Sequence, residues 1–322
     1  MFLQYLILVA AVVFFAMNMG GSGIAPSFAA VYGAKLISRR NAVILFGFFV
    51  MFGALLLGSR VAKTLSSGFI AKELFTPQVA LIILFSAAAA LFIANVLKVP
   101  QSTSWVTVTA TFGAAIYFGG LNWATTLRMV SLWFALPAAG FILTLILFKI
   151  IYPPRQSNFW FYEKVHSRKK FIYLLAISSS CYVAFAIGSN NVANAVGPLM
   201  GANLIGPMLG LLIISPLFGL GAYAIKERTM KTIGQEIVPL GLITSSLVSS
   251  ITASLLLVAS LLGFPQSLVQ LNALGIMAIG TIKHEHIFAA KQQAVKKTFA
   301  IWLIAPLLSG ALSYLLLRIY GA

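Results

Sequence analysis

Two short polar stretches of the same composition stand at corresponding places in the two halves of the chain. They are Pro100-Gln-Ser-Thr-Ser104 and Pro265-Gln-Ser267. Proline is favoured at the first position of a helix, so each stretch predicts a helix that begins at its proline. A helix start presents unpaired N–H groups and about half a positive charge. Together with nearby hydroxyls and amides, it can bind an anion without a charged side chain.

A third polar stretch, Gly188-Ser-Asn-Asn-Val-Ala-Asn-Ala195, carries three asparagines inside an apolar segment. Glycine and asparagine weaken a helix, and buried amides need partners. The stretch is mirrored in the first half by the glycine- and serine-rich residues 17–27. Both places therefore predict a helix break, with close helix packing through small residues as the alternative for the glycines.

The candidate anion ligands all offer neutral hydrogen-bond donors at these breaks. The principal candidates are Gln101, Ser102, Thr103, Asn191, Asn194, Gln266 and Ser267. A second group consists of Ser22, Ser104 and Asn190.

The surrounding composition requires a membrane. Of 322 residues, 60% are hydrophobic and 8% are charged, whereas soluble domains carry about 25% charged residues. A membrane-spanning helix needs roughly 20 apolar residues. Apolar segments of about this length lie at 2–18, 42–59, 79–97, 105–121, 129–151, 171–187, 204–225, 238–263, 268–282 and 299–320. The segments 105–121 and 268–282 are short enough to be re-entrant. Because lipid pairs no backbone polar groups, we expect an all-α, polytopic helical bundle in the cell membrane.

Charge is distributed unevenly. The 22 Lys and Arg residues give a net charge of +17 and cluster in loops and at span ends, which indicates contact with lipid headgroups rather than with nucleic acid. The chain has no aspartate, and its five glutamates lie outside the apolar stretches. The membrane interior is therefore predicted to hold no carboxylate. A single cysteine, Cys181, excludes an intrachain disulfide.

An internal repeat relates the two halves. At an offset of 168 residues the matches are Gly20 with Gly188, Gly33-Ala34 with Gly201-Ala202, Gly53-Ala54 with Gly221-Ala222, and Lys63-Thr64 with Lys231-Thr232. The pattern predicts a first transmembrane repeat at residues 1–150, a basic linker at 151–170 and a second repeat at 171–322. If each half crosses the membrane an odd number of times, the repeats are inverted, and their broken helices meet near the bilayer midplane.

The motifs themselves resemble those of the inorganic phosphate transporter family. The stretch Gly188–Ala195 is similar to that family's Gly-Ala-Asn-Asp-Val-Ala-Asn-Ala motif, and Pro100–Ser104 to its Pro-Val-Ser-Thr-Thr motif. The resemblance covers nearly the whole chain and implies inverted repeats, a homodimer and ion-coupled oxyanion transport. Asn191 stands where the family has aspartate, and Leu268 and Val269 replace its second threonine pair. This pattern resembles the family's sulfate permease branch.

The missing aspartate also favours sulfate on physical grounds. Phosphate keeps a proton that a carboxylate can accept, whereas sulfate keeps none and would be repelled by about 4 kcal/mol at 4 Å and an effective dielectric constant of 20. We therefore predict a secondary transporter that imports sulfate by alternating access in symport with a cation. Sodium, held near Asn190 and Asn194, is slightly preferred over a proton, and no cofactor is expected.

Three alternatives stay open. The first is a phosphate symporter of the same family, and the second is an anion channel. The third is a membrane enzyme, for which the only general-base candidates are His166, His284 and His286 in hydrophilic loops. We do not expect an enzyme.

Overall fold

A computed structural model describes residues 2–97, 99, 101–224, 241–283 and 292–321 of the chain. Within these residues the secondary structure consists of α-helices and two short 3-10 helices, Lys72–Leu74 and Gln156–Asn158. The α-helices are α1 Phe2–Gly33, α2 Arg39–Ser67, α3 Pro77–Val96, α4 Thr103–Tyr117, α5 Trp123–Ile151, α6 Phe159–Ser167, α7 Lys169–Asn191, α8 Ala193–Gly201, α9 Pro207–Ala224, α10 Leu242–Leu261, α11 Leu268–Lys283 and α12 Gln292–Tyr320. The all-α prediction is confirmed.

Eight helical segments in the described part of the chain are long and apolar enough to cross a membrane. They are α1, α2, α3, α5, the continuous run of α7 and α8, α9, α10 and the Phe299–Tyr320 part of α12. Large apolar side chains such as Phe48, Leu56 and Ile150 are exposed on their outer faces, which suits contact with lipid tails. The protein is therefore a multi-pass membrane protein.

The remaining two apolar helices are short, as predicted. Helix α4 has 15 residues and α11 has 16, so each is about 22–24 Å long against a hydrocarbon core of about 30 Å. Both begin among buried residues, since Ser102 and Ser267 are shielded from solvent. These helices start inside the bundle rather than at its surface.

The predicted break at residues 17–27 is wrong. Helix α1 runs without interruption from Phe2 to Gly33, and Pro26 lies inside it. The glycines serve close packing instead: a Cβ on Gly20 would collide with the backbone of Phe218, and one on Gly23 would lie 3.2 Å from the Phe46 ring. The mirrored stretch is interrupted only at Val192, between α7 and α8.

Close backbone contacts connect the two predicted repeats in a reciprocal pattern. At four glycines an added Cβ would collide with the backbone of a helix in the other half: Gly20 with Phe218, Gly188 with Val50, Gly53 with Phe185, and Gly221 with Met17. Adding 168 to Gly20 gives Gly188, and subtracting 168 from its partner Phe218 gives Val50, the partner of Gly188. The Gly53 and Gly221 contacts are related by the same shifts. Two repeats related by a twofold axis predict this pattern, while their boundaries and inverted orientation stay predictions.

The short helices pack against the last helix of the opposite half. Helix α4 packs against α12, and α11 packs against α5. Ser309 of α12 donates a hydrogen bond to the carbonyl of Val106 at 2.8 Å, and Trp133 of α5 donates from Nε1 to the carbonyl of Pro265, also at 2.8 Å. This exchange brings the start of α4 and the start of α11 together.

The predicted linker is itself folded. It contains a 3-10 turn and α6, and the Asn158 amide donates to the carbonyls of Ile150, Ile151 and Pro153 at 2.9–3.1 Å. Asn158 and Tyr162, which donates to the Ile151 carbonyl, thus pair carbonyls at and just after the end of α5.

Candidate anion-binding site

The first helix start is capped by a serine. The N–H of Trp105 donates to Ser102 Oγ at 3.2 Å, and α4 begins at Thr103. The helix therefore starts three residues beyond the position predicted, since Pro100 was expected to open it; Pro100 itself lies outside the described residues. Serine is among the best N-cap residues, and this preference places Gln101 just before the helix.

The second helix start has the same construction. The N–H of Gln270 donates to Ser267 Oγ at 3.2 Å, and α11 begins at Leu268, again three residues after its proline. A serine oxygen that accepts such a bond keeps its own O–H for another acceptor. Each helix start thus offers backbone N–H groups, a hydroxyl proton and the glutamine that precedes the serine.

The two helix starts are in direct contact. Ser104, in the first turn of α4, donates from Oγ to the carbonyl of Gln266 at 3.0 Å. Each helix start carries about half a positive charge, so their meeting point is electrically positive.

Asn190 and Asn194 hold this arrangement together. They are four residues apart and so lie on one face of the helical run. Asn194 Nδ2 donates to Thr103 Oγ1 at 3.3 Å and to Ser104 Oγ at 3.2 Å. Asn190 Nδ2 donates to the carbonyl of Phe264 at 3.1 Å, and Asn190 Oδ1 accepts from the N–H of Gln266 at 2.8 Å. One asparagine contacts each helix start.

Several amide groups at this place have no protein partner. Gln101 and Gln266 are each 1% exposed, and within the described residues neither their Nε2 nor their Oε1 atoms form a hydrogen bond. The buried Oδ1 atoms of Asn191 and Asn194 are also unpaired there. Buried polar atoms are rarely left unpaired, and each costs about 1–3 kcal/mol. A bound anion would accept hydrogen bonds from the unpaired Nε2 groups, and a bound cation would pair with the unpaired amide oxygens.

The charges of the described residues favour binding of an anion at this site over binding of a cation without an anion. Glu73 and Glu163, the acids among the described residues, are both exposed, and neither touches the helix starts. Glu227, Glu236 and Glu285 lie outside the described residues. The site therefore combines two positive helix ends and two glutamine amides with no described negative side chain.

The structure brings most of the predicted site residues together. Six of them belong to the two helix starts: Gln101, Ser102, Thr103, Ser104, Gln266 and Ser267. Asn190 and Asn194 contact these starts, and Asn191 is the buried neighbour of Asn190. Their role as ligands stays a prediction. The Ser22 hydroxyl donates to the Met19 carbonyl within α1 at 3.0 Å, and its role as a ligand also stays a prediction.

Sequence reasoning missed two contributors. Trp133 fixes the Pro265 carbonyl, and Ser260 Oγ lies 3.0 Å from Asn190 Nδ2. Trp133 has a counterpart, Trp302, in the second half of the sequence, but this match does not indicate its hydrogen bond. Nothing in the sequence distinguishes Ser260 from the other serines of α10. Of the histidine candidates, His284 and His286 lie outside the described residues, as does the side chain of His166.

Fold and site together define a helical membrane protein with paired helix starts inside the bundle. The model of the phosphate transporter family matches residues 19–313, and the chain belongs to this family. It is 34% identical over 309 residues to the sulfate permease CysP of Bacillus subtilis, an alignment that covers 95% of this chain and 85% of that protein.

Other relatives carry a different substrate in their names. The sodium-dependent phosphate transporter 1 of the mouse is 29% identical over 141 residues, covering 41% of this chain but only 21% of the mouse protein. A solved structure titled "The sodium-dependent phosphate transporter" shares the fold, with a TM-score of 0.83 over 98% of this chain and 99% of its own, at 22% identity.

Proposed function

We propose that this protein is a secondary transporter that imports sulfate by alternating access, with sodium as the co-transported cation. The observation that carries the proposal is the pair of capped helix starts, joined by the Ser104–Gln266 hydrogen bond, whose glutamine amides have no partner in the described part of the protein. Such a site supplies donors to an anion and nothing that accepts a proton from it.

The sequence has no aspartate, and no carboxylate belongs to the site within the described residues, which supports sulfate over phosphate. A carboxylate would repel sulfate, while it could accept the proton that phosphate retains. Asn191, buried beside Asn190, is the position where an aspartate would have this effect. The resemblance to a protein named sulfate permease supports the same substrate.

Sodium coupling is supported by unpaired amide oxygens. Inward movement of a dianion against an inside-negative potential of 100 mV costs about 5 kcal/mol, so uptake driven by potential alone needs more than two monovalent cations per sulfate. The unpaired Oδ1 atoms of Asn191 and Asn194 lie at the junction of α7 and α8, and broken helices commonly contribute oxygens to sodium sites. Two relatives described above have names that specify sodium dependence.

Phosphate is the second candidate substrate, because relatives and the matching structure carry phosphate in their names. The test is uptake of radiolabelled sulfate into proteoliposomes under separately imposed sodium and proton gradients, with unlabelled phosphate as competitor. We expect saturable uptake that a sodium gradient accelerates and that excess phosphate inhibits weakly.

The other outcomes each contradict part of the proposal. Equal inhibition by phosphate and sulfate would contradict sulfate selectivity. Acceleration by a proton gradient alone would contradict sodium coupling. Non-saturable flux that ignores both gradients would identify an anion channel.

A further inference from the structure

A basic cleft opens on the surface near the second helix start. It has a volume of about 360 Å³ and is lined by Arg60, Lys63, Thr64, Ser67, Gly68, Leu262 and Gly263. The first four of these residues follow the spacing i, i+3, i+4, i+7, which places them on one face of α2. We call these seven residues the basic cleft.

The chemistry of the basic cleft suits an oxyanion. It presents one guanidinium, one ammonium and two hydroxyls, and none of its lining residues is acidic. Arg60 lines the cleft and uses Nη1 to donate to the carbonyl of Leu261 at 2.8 Å, which restrains its guanidinium. Arginine has five N–H donors, so this single bond leaves most of its donor capacity for a ligand. Lys63 is exposed and can move toward a ligand.

The position of the cleft connects it with the buried site. Its wall ends at Gly263, three residues before Gln266, so the two Cα atoms are at most about 11 Å apart. Between them, Phe264 and Gln266 are held by Asn190. An anion in the cleft therefore lies one short segment away from the second helix start.

The sequence adds an independent observation. The spacing Arg-x-x-Lys-Thr at Arg60, Lys63 and Thr64 recurs 168 positions later as Arg228, Lys231 and Thr232. The second set lies outside the described residues, so only its sequence is relevant. The other matches named at this offset are glycines and alanines, whereas these three residues are polar and keep their spacing.

We propose that the basic cleft is a second oxyanion-binding site, separate from the buried helix starts, which binds a tetrahedral anion such as free sulfate or the phosphate of a lipid headgroup. Binding there is weaker than in the buried site because the cleft is open and its charges are screened by salt. A positive concave surface nevertheless raises the local concentration of anions. We also propose that the basic cleft passes anions on to the buried site, and this supply role rests on the proposed function.

A cysteine probe tests the site without relying on transport. Ser67 lines the cleft and is exposed, and the native Cys181 is buried, so Ser67→Cys in a Cys181→Ala background provides one reactive thiol. The quantity measured is the rate of reaction with an anionic methanethiosulfonate reagent divided by the rate with a cationic one. We expect this ratio to be about tenfold higher when Lys63 is present than in a Lys63→Gln derivative. Sulfate at 10 mM should slow the reaction compared with chloride at equal ionic strength.

Matched variants and lipids distinguish the possible occupants. Lys72→Gln removes an exposed lysine that does not line the cleft and should leave the reagent ratio unchanged. Protection by sulfate in zwitterionic nanodiscs identifies free anion as the occupant. Protection that instead requires anionic lipid, with no effect of sulfate, identifies a headgroup. No protection by either, together with an unchanged ratio in Lys63→Gln, would overturn the proposal.

Transport kinetics test the supply role separately. In proteoliposomes of zwitterionic lipid, Lys63→Gln should raise the KM for sulfate about three- to tenfold and leave the maximal rate unchanged, because the buried site is intact. Thiol protection without a change in KM would keep the second site but refute its role in supply. Failure of sulfate transport in the parent protein would refute the proposed function and leave the thiol measurement valid.

Discussion

Replacing either unpaired glutamine by methionine should change stability and binding in opposite directions. Gln101 and Gln266 are buried, and within the described residues neither side-chain amide has a partner. Methionine has nearly the same length and no group that requires a hydrogen bond. Gln266→Met therefore removes a cost in the anion-free protein while it removes donors from the site.

The sizes of the two effects follow from the anion-free and the anion-bound states of the site. An unsatisfied buried polar group costs about 1–3 kcal/mol, so the anion-free variant should unfold at the same temperature as the parent or a few degrees higher. A hydrogen bond to a charged group contributes about 1.5–3 kcal/mol, so sulfate affinity should fall by roughly tenfold to a hundredfold. The two glutamines occupy matching places at the two helix starts, and Gln101→Met should behave in the same way.

Thermal unfolding of detergent-purified protein, with and without sulfate, measures both quantities. The parent should gain stability with sulfate, and each variant should gain less. Gln78→Met is the matched control: Gln78 lies on α3, partly exposed, with only long contacts of 3.4–3.5 Å to the chain end, and it should not alter sulfate binding. Reduced stability in the absence of sulfate, combined with unchanged sulfate affinity, would show that the glutamines are structural and would refute the assignment.

Three further predictions concern the asparagines and the glycines. Asn190→Ala removes three hydrogen bonds, two of them buried, and should lower the free energy of unfolding by about 2–4 kcal/mol; denaturation identical to the parent would contradict its positioning role. Asn191→Asp should lower sulfate affinity at least tenfold and phosphate affinity less, measured by competition in uptake, with Asn203→Asp at an exposed turn as the control. Gly53→Ala should destabilise the protein by about 1–3 kcal/mol in thermal unfolding, because its Cβ would collide with a neighbouring backbone, whereas Gly33→Ala, where nothing lies within 4 Å, should be tolerated.

Composition and repeat spacing predicted much of this fold for a clear physical reason. In a membrane, backbone groups must pair within each segment, so apolar length alone marks the helices. The short helices α4 and α11 were found because a polar, proline-containing segment precedes each of them. The preference of proline for a first turn predicted each start three residues too early. Capping by Ser102 and Ser267 decides where the two helices begin.

The wrong prediction at residues 17–27 has a different cause. Glycine weakens an isolated helix, but it also allows two backbones to approach closely. Only the position of the partner helix decides which effect matters, and the partner of Gly20 is Phe218, nearly 200 residues away. The contribution of Trp133 could not be predicted for the same reason, since its bond to Pro265 depends on how the two halves pack.

The neutral side chains of the site suit the proposed coupling of anion and cation. Each glutamine amide has a donor on one side and an acceptor on the other, so Gln101 or Gln266 can donate to sulfate while its oxygen faces a sodium ion. If sodium orients the amide, it raises the affinity of the site for sulfate. By linkage, sulfate then raises the affinity for sodium by the same factor. A carboxylate at Asn191 would attract the cation but repel the dianion, whereas amides serve both. Uptake that ignores a sodium gradient would remove this explanation and leave the unpaired oxygens without a role.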